Sequence, residues 1–412
     1  MEVLYKRVCG LDVHKKFLVA CLICVADDGH VTKEIRKFST MLDDLLTLAD
    51  WLQAHGVTHV AMESTGVYWK PVYNVLEGTC DVWVVNAQHF KAVPGRKTDV
   101  RDGEWLAELL RHGLLRPSFV PAKPQRELRE LTRYRSALIH ERTREVNRLQ
   151  KVLEGANIKL GAVASDVLGA SGREMLAALV AGTTDTAALA DLAKGTLRHK
   201  IPDLERALRG RFGDHQRFLI ARQLAHIDAL DATLEEVTQE IAARMRPFEA
   251  VITRWDGITG VGRRTAETLV AELGVDMGRW PSHQHLASWA GLCPGNDESA
   301  GKRKAGKTRK GNPWLRAALI EAAQAAGRTK DTYLGAQYHR LAARRGKKKA
   351  AMAVAHSILV IAYHLVKDDC DFADLGVHYF DERDRAAVQR HAVKRLERLG
   401  FKVTLEPVAL AA

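Results

Sequence analysis

The chain has 412 residues, with 62 Lys and Arg against 50 Asp and Glu, a formal charge of +12, and 46% hydrophobic residues. At roughly 100–200 residues per domain that length makes two to four domains, each able to bury a core, which excludes global disorder and collagen-like repeats. The basic excess points toward a polyanionic partner, because each phosphate neutralised by Lys or Arg releases condensed counterion.

Taken in chain order, the apolar runs 8–13, 17–25 and 31–38, separated by the turn residues Asp27, Asp28 and Gly29, predict an antiparallel meander. A helical pattern at 42–55, a β-rich 58–62, a helix at 68–76, a strand at 82–85 and a helix at 99–110 follow, so strands alternate with helices as in an α/β sheet. Pro117, Pro121 and Pro124 then break the chain, and a first domain is drawn over 1–120.

From 125 to 153 the pattern is helical and very basic, and 215–245 predicts a second long helix. In that second helix Ile227, Leu230, Leu234, Val237 and Ile241 step by three and four, the rhythm of a coiled-coil seam as well as of an ordinary bundle helix. The Ala- and Gly-rich stretch between the two predicts a smaller helical insert without an assignable role, and the whole is drawn as a middle region, 121–250. A third domain, 251–370, opens on Ile258-Thr-Gly-Val-Gly262 before a helix, a helix-hairpin-helix-like arrangement whose glycine turn can bring backbone N–H groups to a phosphate. Residues 371–412 read as a charged, amphipathic, peripheral tail.

Six cysteines are too dispersed for a disulfide framework, and Cys21 and Cys24, inside an apolar run with no second pair, read as buried strand rather than a metal or redox site. The N-terminus lacks the order of a signal peptide, and the apolar stretch 350–366, which contains His356 and His364, falls short of the roughly 18–20 residues that span a bilayer. A cytoplasmic protein without a membrane partner is the expectation.

Two groups of residues could carry chemistry. Asp12 and Glu63 end predicted strands, and Asp99 and Asp102 stand three apart at the start of a predicted helix, so that both project from one face. Such carboxylates are hard oxygen ligands for Mg²⁺, and two ions clamp the attacking and leaving oxygens of a phosphodiester. Each also has an ordinary reading as a cap of its own element. The second group is Ser299 in a glycine-flanked loop, followed by Lys302, Arg303, Lys304, Lys307, Arg309 and Lys310. A serine in that positive field is either a nucleophile or a solvated loop residue, while the cations suit phosphate contact.

At these residues the sequence closely resembles the DEDD-type transposases of bacterial insertion sequences, the IS110 family, and the related site-specific DNA invertases. The matching pieces run in family order: Gly10-Leu-Asp12-Val-His-Lys, Met62-Glu63-Ser-Thr-Gly66, Lys97-Thr98-Asp99-Val-Arg-Asp102, Arg129-Glu-Leu-Thr-Arg133-Tyr-Arg135, Ile258-Thr-Gly-Val-Gly262, Leu286-Ala-Ser-Trp-Ala-Gly-Leu292 and Glu298-Ser299-Ala-Gly-Lys302. Gly103 and Ala300 depart from it, where many members have Ala and Gly.

The resemblance implies a RuvC-like RNase H-fold N-terminal domain, a helical coiled-coil middle used in oligomerisation, and a mostly helical C-terminal transposase domain. By motif it implies Asp12, Glu63, Asp99 and Asp102 as a Mg²⁺ set, expected to hold two ions, and Ser299 as the nucleophile of a phosphoserine intermediate. Element-end and target DNA, a structured noncoding guide (bridge) RNA and a further copy of the chain, as dimer or tetramer, are the implied partners, with Arg129, Arg133, Arg135 and the 302–310 cations as backbone contacts. A junction-resolving nuclease that activates water, and a non-catalytic nucleic-acid-binding regulator, are the alternatives.

Overall fold

The computed structural model describes residues 2–86, 102–295, 298–299, 301–303, 308 and 310–406. They fall into two compact units, Met1–Ala122 and Lys123–Ala412.

In the first unit β1 (Arg7–Val13), β2 (Phe17–Val25) and β3 (Val31–Ser39) form the meander that the apolar runs predict, and α1 (Leu42–Ala54) follows. Then come β4 (His59–Glu63), α2 (Trp69–Leu76), β5 (Asp81–Val85) and α3 (Asp102–Arg111). The sheet order is β3-β2-β1-β4-β5, with β4 parallel to β1 and β5 parallel to β4. Successive side chains of a strand alternate between faces. One face therefore sends Cys9, Leu11, Met62 and Val84 against Leu45 and Leu48 of α1 and Val72 and Leu76 of α2. The other sends Val8, Cys21, Ala61 and Val85 against Leu106, Ala107 and Leu110 of α3.

The same alternation disposes of the C-x-x-C spacing. Three residues apart on one strand, Cys21 packs with the α3 face and Cys24 against the α1 and α2 face, so the two thiols cannot share an ion. Burial pushes Cys21 and Cys80 up to about 11 from 9.0, and raises Cys9 well above its ordinary value. At pH 8 a two-unit rise cuts the thiolate fraction about a hundredfold. Exposed Cys370 is expected to be alkylated first in the folded protein, with Cys9, Cys21 and Cys80 reacting only in denaturant; peptide mapping of an iodoacetamide time course checks it.

The second unit is helical. Its two long helices, α4 (Lys123–Gly155) and α6 (Asp214–Met245), pack along one another, and the insert, including α5 (Ala170–Ala181), caps their ends. Leu149 and Leu153 of α4, Met175 and Leu176 of α5, and Ile220 and Ile227 of α6 share one core. Much of the α6 seam is thus filled by the chain itself: Ile227, Leu230 and Ile241 are buried, Leu234 and Val237 half-buried, and Arg142 of α4 pairs with Asp231. The 3-4 rhythm is satisfied largely by an intramolecular partner.

Beyond them come α7 (Glu249–Asp256), α8 (Arg263–Leu273), α9 (His283–Trp289), α10 (Pro313–Ala326), α11 (Tyr333–Arg345), α12 (Lys347–Lys367) and α13 (Arg385–Arg398). Helix α12 is long and apolar enough to cross a membrane by length and composition, yet it is built in as a core helix. Val354, Ile358, Leu359 and Ala362 are buried, and the buried Trp255 donates its Nε1–H to Ala362 O at 2.9 Å. The basic run before it is partly helical, since Lys347, Lys348 and Lys349 form its first turn. Helix α13 buries no residue, as a peripheral tail would.

Candidate functional site

Three of the four predicted acids can be located. Strand β1 pairs with β4 in the register Leu11 to Met62, so Asp12 and Glu63, each one residue further on, stand side by side where adjacent strands lie about 4.8 Å apart. Both fall on the α3 face, Asp12 with Gly10 and Val8, Glu63 with Ala61. Glu63 is held at the strand end by a turn in which Thr65 N–H donates to Glu63 O at 2.8 Å and Gly66 takes φ +54°. Asp12 Oδ2 accepts from His14 Nε2 at 3.1 Å.

Asp102 is brought to the same face by close backbone packing. A Cβ built on Gly10 would lie 2.1 Å from Gly103 O and 2.5 Å from Ala107 N, so only glycine lets the first turn of α3 seat on β1. The position of Gly103 itself is 3.5 Å, measured from an ideal Cβ, from Asp12 N. Lys33 on β3 ties down the same turn through Glu104 at 2.6 Å. Asp102 is the first residue of α3, and Asp99 lies outside the described residues, so the predicted helical pair is represented by Asp102 alone. The donor chemistry suits Mg²⁺, a hard cation that takes carboxylate oxygens. Among the described residues no three His, Cys, Asp or Glu side chains close on a common point.

Ser299 sits in a different unit, in a short hairpin: β6 (Glu298–Ser299) pairs with β7 (Lys302–Arg303), Ser299 opposite Lys302, around a tight turn whose Gly301 has φ +72°. Pro294 pairs with Thr308 nearer the base, and Arg316 donates to Thr308 Oγ1 at 3.0 Å. The base is clamped where Gly311 meets Gly291, an added Cβ falling 2.3 Å from Gly291 N. Lys302 and Lys310 are exposed, while the side chains of Arg303, Lys304, Lys307 and Arg309 lie outside the described set.

The basic helix α4 is not a solvated cationic rod, and here the expectation from charge is corrected. Arg129 donates to Ala271 O at 3.0 Å and to Glu272 O at 2.5 Å, capping the C-terminal carbonyls of α8. Burial, with Arg133 close by, pushes Arg129 down to about 10 against the pull of Glu272. Arg135 is 3% exposed and pairs with Glu267 at 2.7 Å. Arg133 makes a bidentate pair with Glu272 at 2.7 and 2.9 Å but remains about a third exposed (35%). Arg129 is therefore held as a helix cap and Arg135 is buried with one guanidinium nitrogen on Glu267, while Arg133 presents an exposed surface.

Glu272, which sequence reasoning missed, is the centre of this network. It is fully buried, and besides Arg133 it accepts from Asn312 Nδ2 at 2.5 Å. Asn312 in turn caps α10 through Trp314 N and Leu315 N, both at 3.1 Å, immediately after the hairpin. A cavity of about 200 Å³ opens beside it between α4, α8 and α10. The turn before α8 also departs from the phosphate-loop expectation in part. Gly260 at φ +85° is taken up by packing, an added Cβ lying 2.4 Å from Ala322 O of α10, while Gly262 faces open space.

Residues 9–158 match a transposase family model, that of the DEDD transposases of IS110, and residues 254–339 match the transposase IS116/IS110/IS902 family, together more than half of the chain. The chain belongs to the IS110 family of transposases. It is also 26% identical over 270 residues to a probable family 20 transposase of Pseudomonas aeruginosa, covering 65% of this chain and 70% of that protein. The first match takes in Asp12, Glu63 and Asp102, and the second the Ser299 hairpin, so both candidate groups lie within the segments this IS110-family DNA transposase shares with its relatives.

Proposed function

We propose that this IS110-family transposase cuts and rejoins DNA at a composite site, with acids from the first unit and a hydroxyl from the second acting on one backbone phosphate. The reading is supported above all by Asp12 and Glu63 standing on the sheet face against which α3, the helix that Asp102 begins, is packed. We read that unit as a RuvC-like RNase H fold, in which ligands gather at strand ends. Asp12, Glu63, Asp99 and Asp102 would hold Mg²⁺, which when bound polarises a scissile phosphate and eases deprotonation of an alcohol.

The chain's own part is then nucleophilic. Ser299 Oγ attacks phosphorus, the Oγ–P bond forms as the P–O3′ bond breaks, and the serine proton ends on the released 3′ oxygen. The phosphoserine conserves the bond energy, so a second strand's 3′ hydroxyl can reverse the step and join without a high-energy cofactor. Because the acids and the serine belong to separate units, domain closure or a second subunit completes the site, and assembly gates cleavage. Lys302, Arg303, Lys304, Lys307, Arg309 and Lys310 would hold backbone phosphates near the serine, with Arg133 further down the same unit. A structured guide RNA encoded beside the gene would choose target and donor DNA.

Trapping tests the chemistry. With element-end DNA and Mg²⁺, the native protein is expected to give a denaturation-resistant protein–DNA adduct that Ser299→Ala lacks altogether. Asp102→Asn should lose the adduct while binding DNA within about twofold of the native protein, since one carboxylate on the sheet face adds little to phosphate contact. An adduct persisting in Ser299→Ala would assign another nucleophile. A discrete RNA co-purifying from cells that carry the flanking element DNA checks the guide.

A further inference from the structure

The cavity between α4, α8 and α10 is not used by that chemistry, and its walls have a composition of their own. We infer that it is a pocket for a single unstacked nucleotide of a bound strand, the base lying against Trp314 and the phosphate toward Arg264; the inference rests on the nucleic-acid reading above and deepens it.

Its volume, about 200 Å³, suits one base with part of its sugar and is far too small for a duplex. Trp314 forms one wall, with the Arg133 guanidinium 5.9 Å from its ring centroid, and the small residues Ala317 and Ala318 leave the space beside it open. An indole and a guanidinium lining one cavity are the kind of surface on which splayed bases stack, whatever their sequence. A phosphate alone would have no use for that apolar wall.

Two of the polar groups that line it, beside the carboxylates of Glu272 and Glu321, suit the rest of a nucleotide. Arg264 is exposed, has no ion pair among the described residues, and lies in the first turn of α8, where free backbone N–H groups and the helix dipole favour an anion. Arg135 lines the same cavity, and although its Nη2 serves Glu267, its Nη1 is buried without a hydrogen-bond partner. A buried donor lacking an acceptor is uncommon, and a base carbonyl in the cavity would supply one. Trp314 also stands six positions after Thr308, at the base of the Ser299 hairpin, so the cavity and the hairpin share one short segment of chain.

The test uses the full chain with single-stranded DNA and RNA 12-mers carrying one 5-iodouracil. Irradiation at long wavelength is expected to crosslink the peptide containing Trp314. Trp314→Leu should weaken binding about tenfold, in the range of one lost base stack, and Arg264→Gln should weaken it and lower the salt slope by about 1. Arg264 is exposed, so that variant and the crosslink decide the matter should Trp314→Leu misfold. If the native protein binds the 12-mers but crosslinks map elsewhere and Arg264→Gln binds as the native chain does, the pocket assignment is overturned while the nucleic-acid reading stands. If neither 12-mer binds, the pocket assignment is likewise overturned, while the nucleic-acid reading is decided separately by binding and adduct formation on element-end DNA.

Discussion

Replacing Gly10 by Ala is expected to cut strand cleavage about a hundredfold while leaving the second unit intact. The added Cβ would sit 2.1 Å from Gly103 O and 2.5 Å from Ala107 N, both backbone atoms, so no rotamer change relieves the clash. Helix α3 must lift from the sheet, at an overpacking cost of about 1–3 kcal/mol. Asp102 begins that helix, so the lift carries its carboxylate away from Asp12 and Glu63. A displacement of about 1 Å in a catalytic group is enough for a hundredfold loss. Gly103→Ala is the control: there the nearest atoms are 3.2 Å away at Val19 O and 3.3 Å at Gly10 O, which asks for shifts of only a few tenths of an ångström. Thermal melting and adduct formation on the two variants separate the cases. Full activity in Gly10→Ala would detach Asp102 from the site.

The first unit was readable because its signals are local. Alternating apolar runs around Asp27-Asp28-Gly29 specify the meander, whereas the close approach of α3 at Gly10 shows only in the structure. Charge was less informative. A count of arginines on α4 does not distinguish a solvated guanidinium from one buried against a distant carboxylate, as Arg135 is against Glu267. One trace did exist in the sequence: Gln125, Arg129 and Arg133 recur every four residues, a single helix face, and that face meets the end of α8. Helix α11 escaped notice because Tyr333–Arg345 buries only Leu334 and Gly335, too few positions to make an apolar period. The seam on α6 was visible, but periodicity does not say whether its partner is another chain or, as with α4, the same one.

Glu272 ties α4 and the start of α10 to α8 through one buried carboxylate. Glu272→Ala would leave Arg129 and Arg133 without their shared carboxylate and Asn312 without an acceptor for Nδ2. Removing one partner of a buried pair commonly costs about 3–5 kcal/mol, because the charge left behind is uncompensated. Arg133 is a third exposed and can turn to water, which places the expected loss near the lower end, about 3 kcal/mol. Glu272→Gln keeps the shape and an acceptor for Asn312, so it should recover part of that loss without restoring the charge. Urea midpoints of the two variants measure the difference. Limited proteolysis adds a local readout: Asn312 roots α10 just beyond the hairpin, so Glu272→Ala should speed cleavage between Pro294 and Thr308 well before the insert core around Leu149 and Met175 opens. Uniform cleavage throughout the unit would mean that the carboxylate holds the whole bundle rather than the base of the serine hairpin.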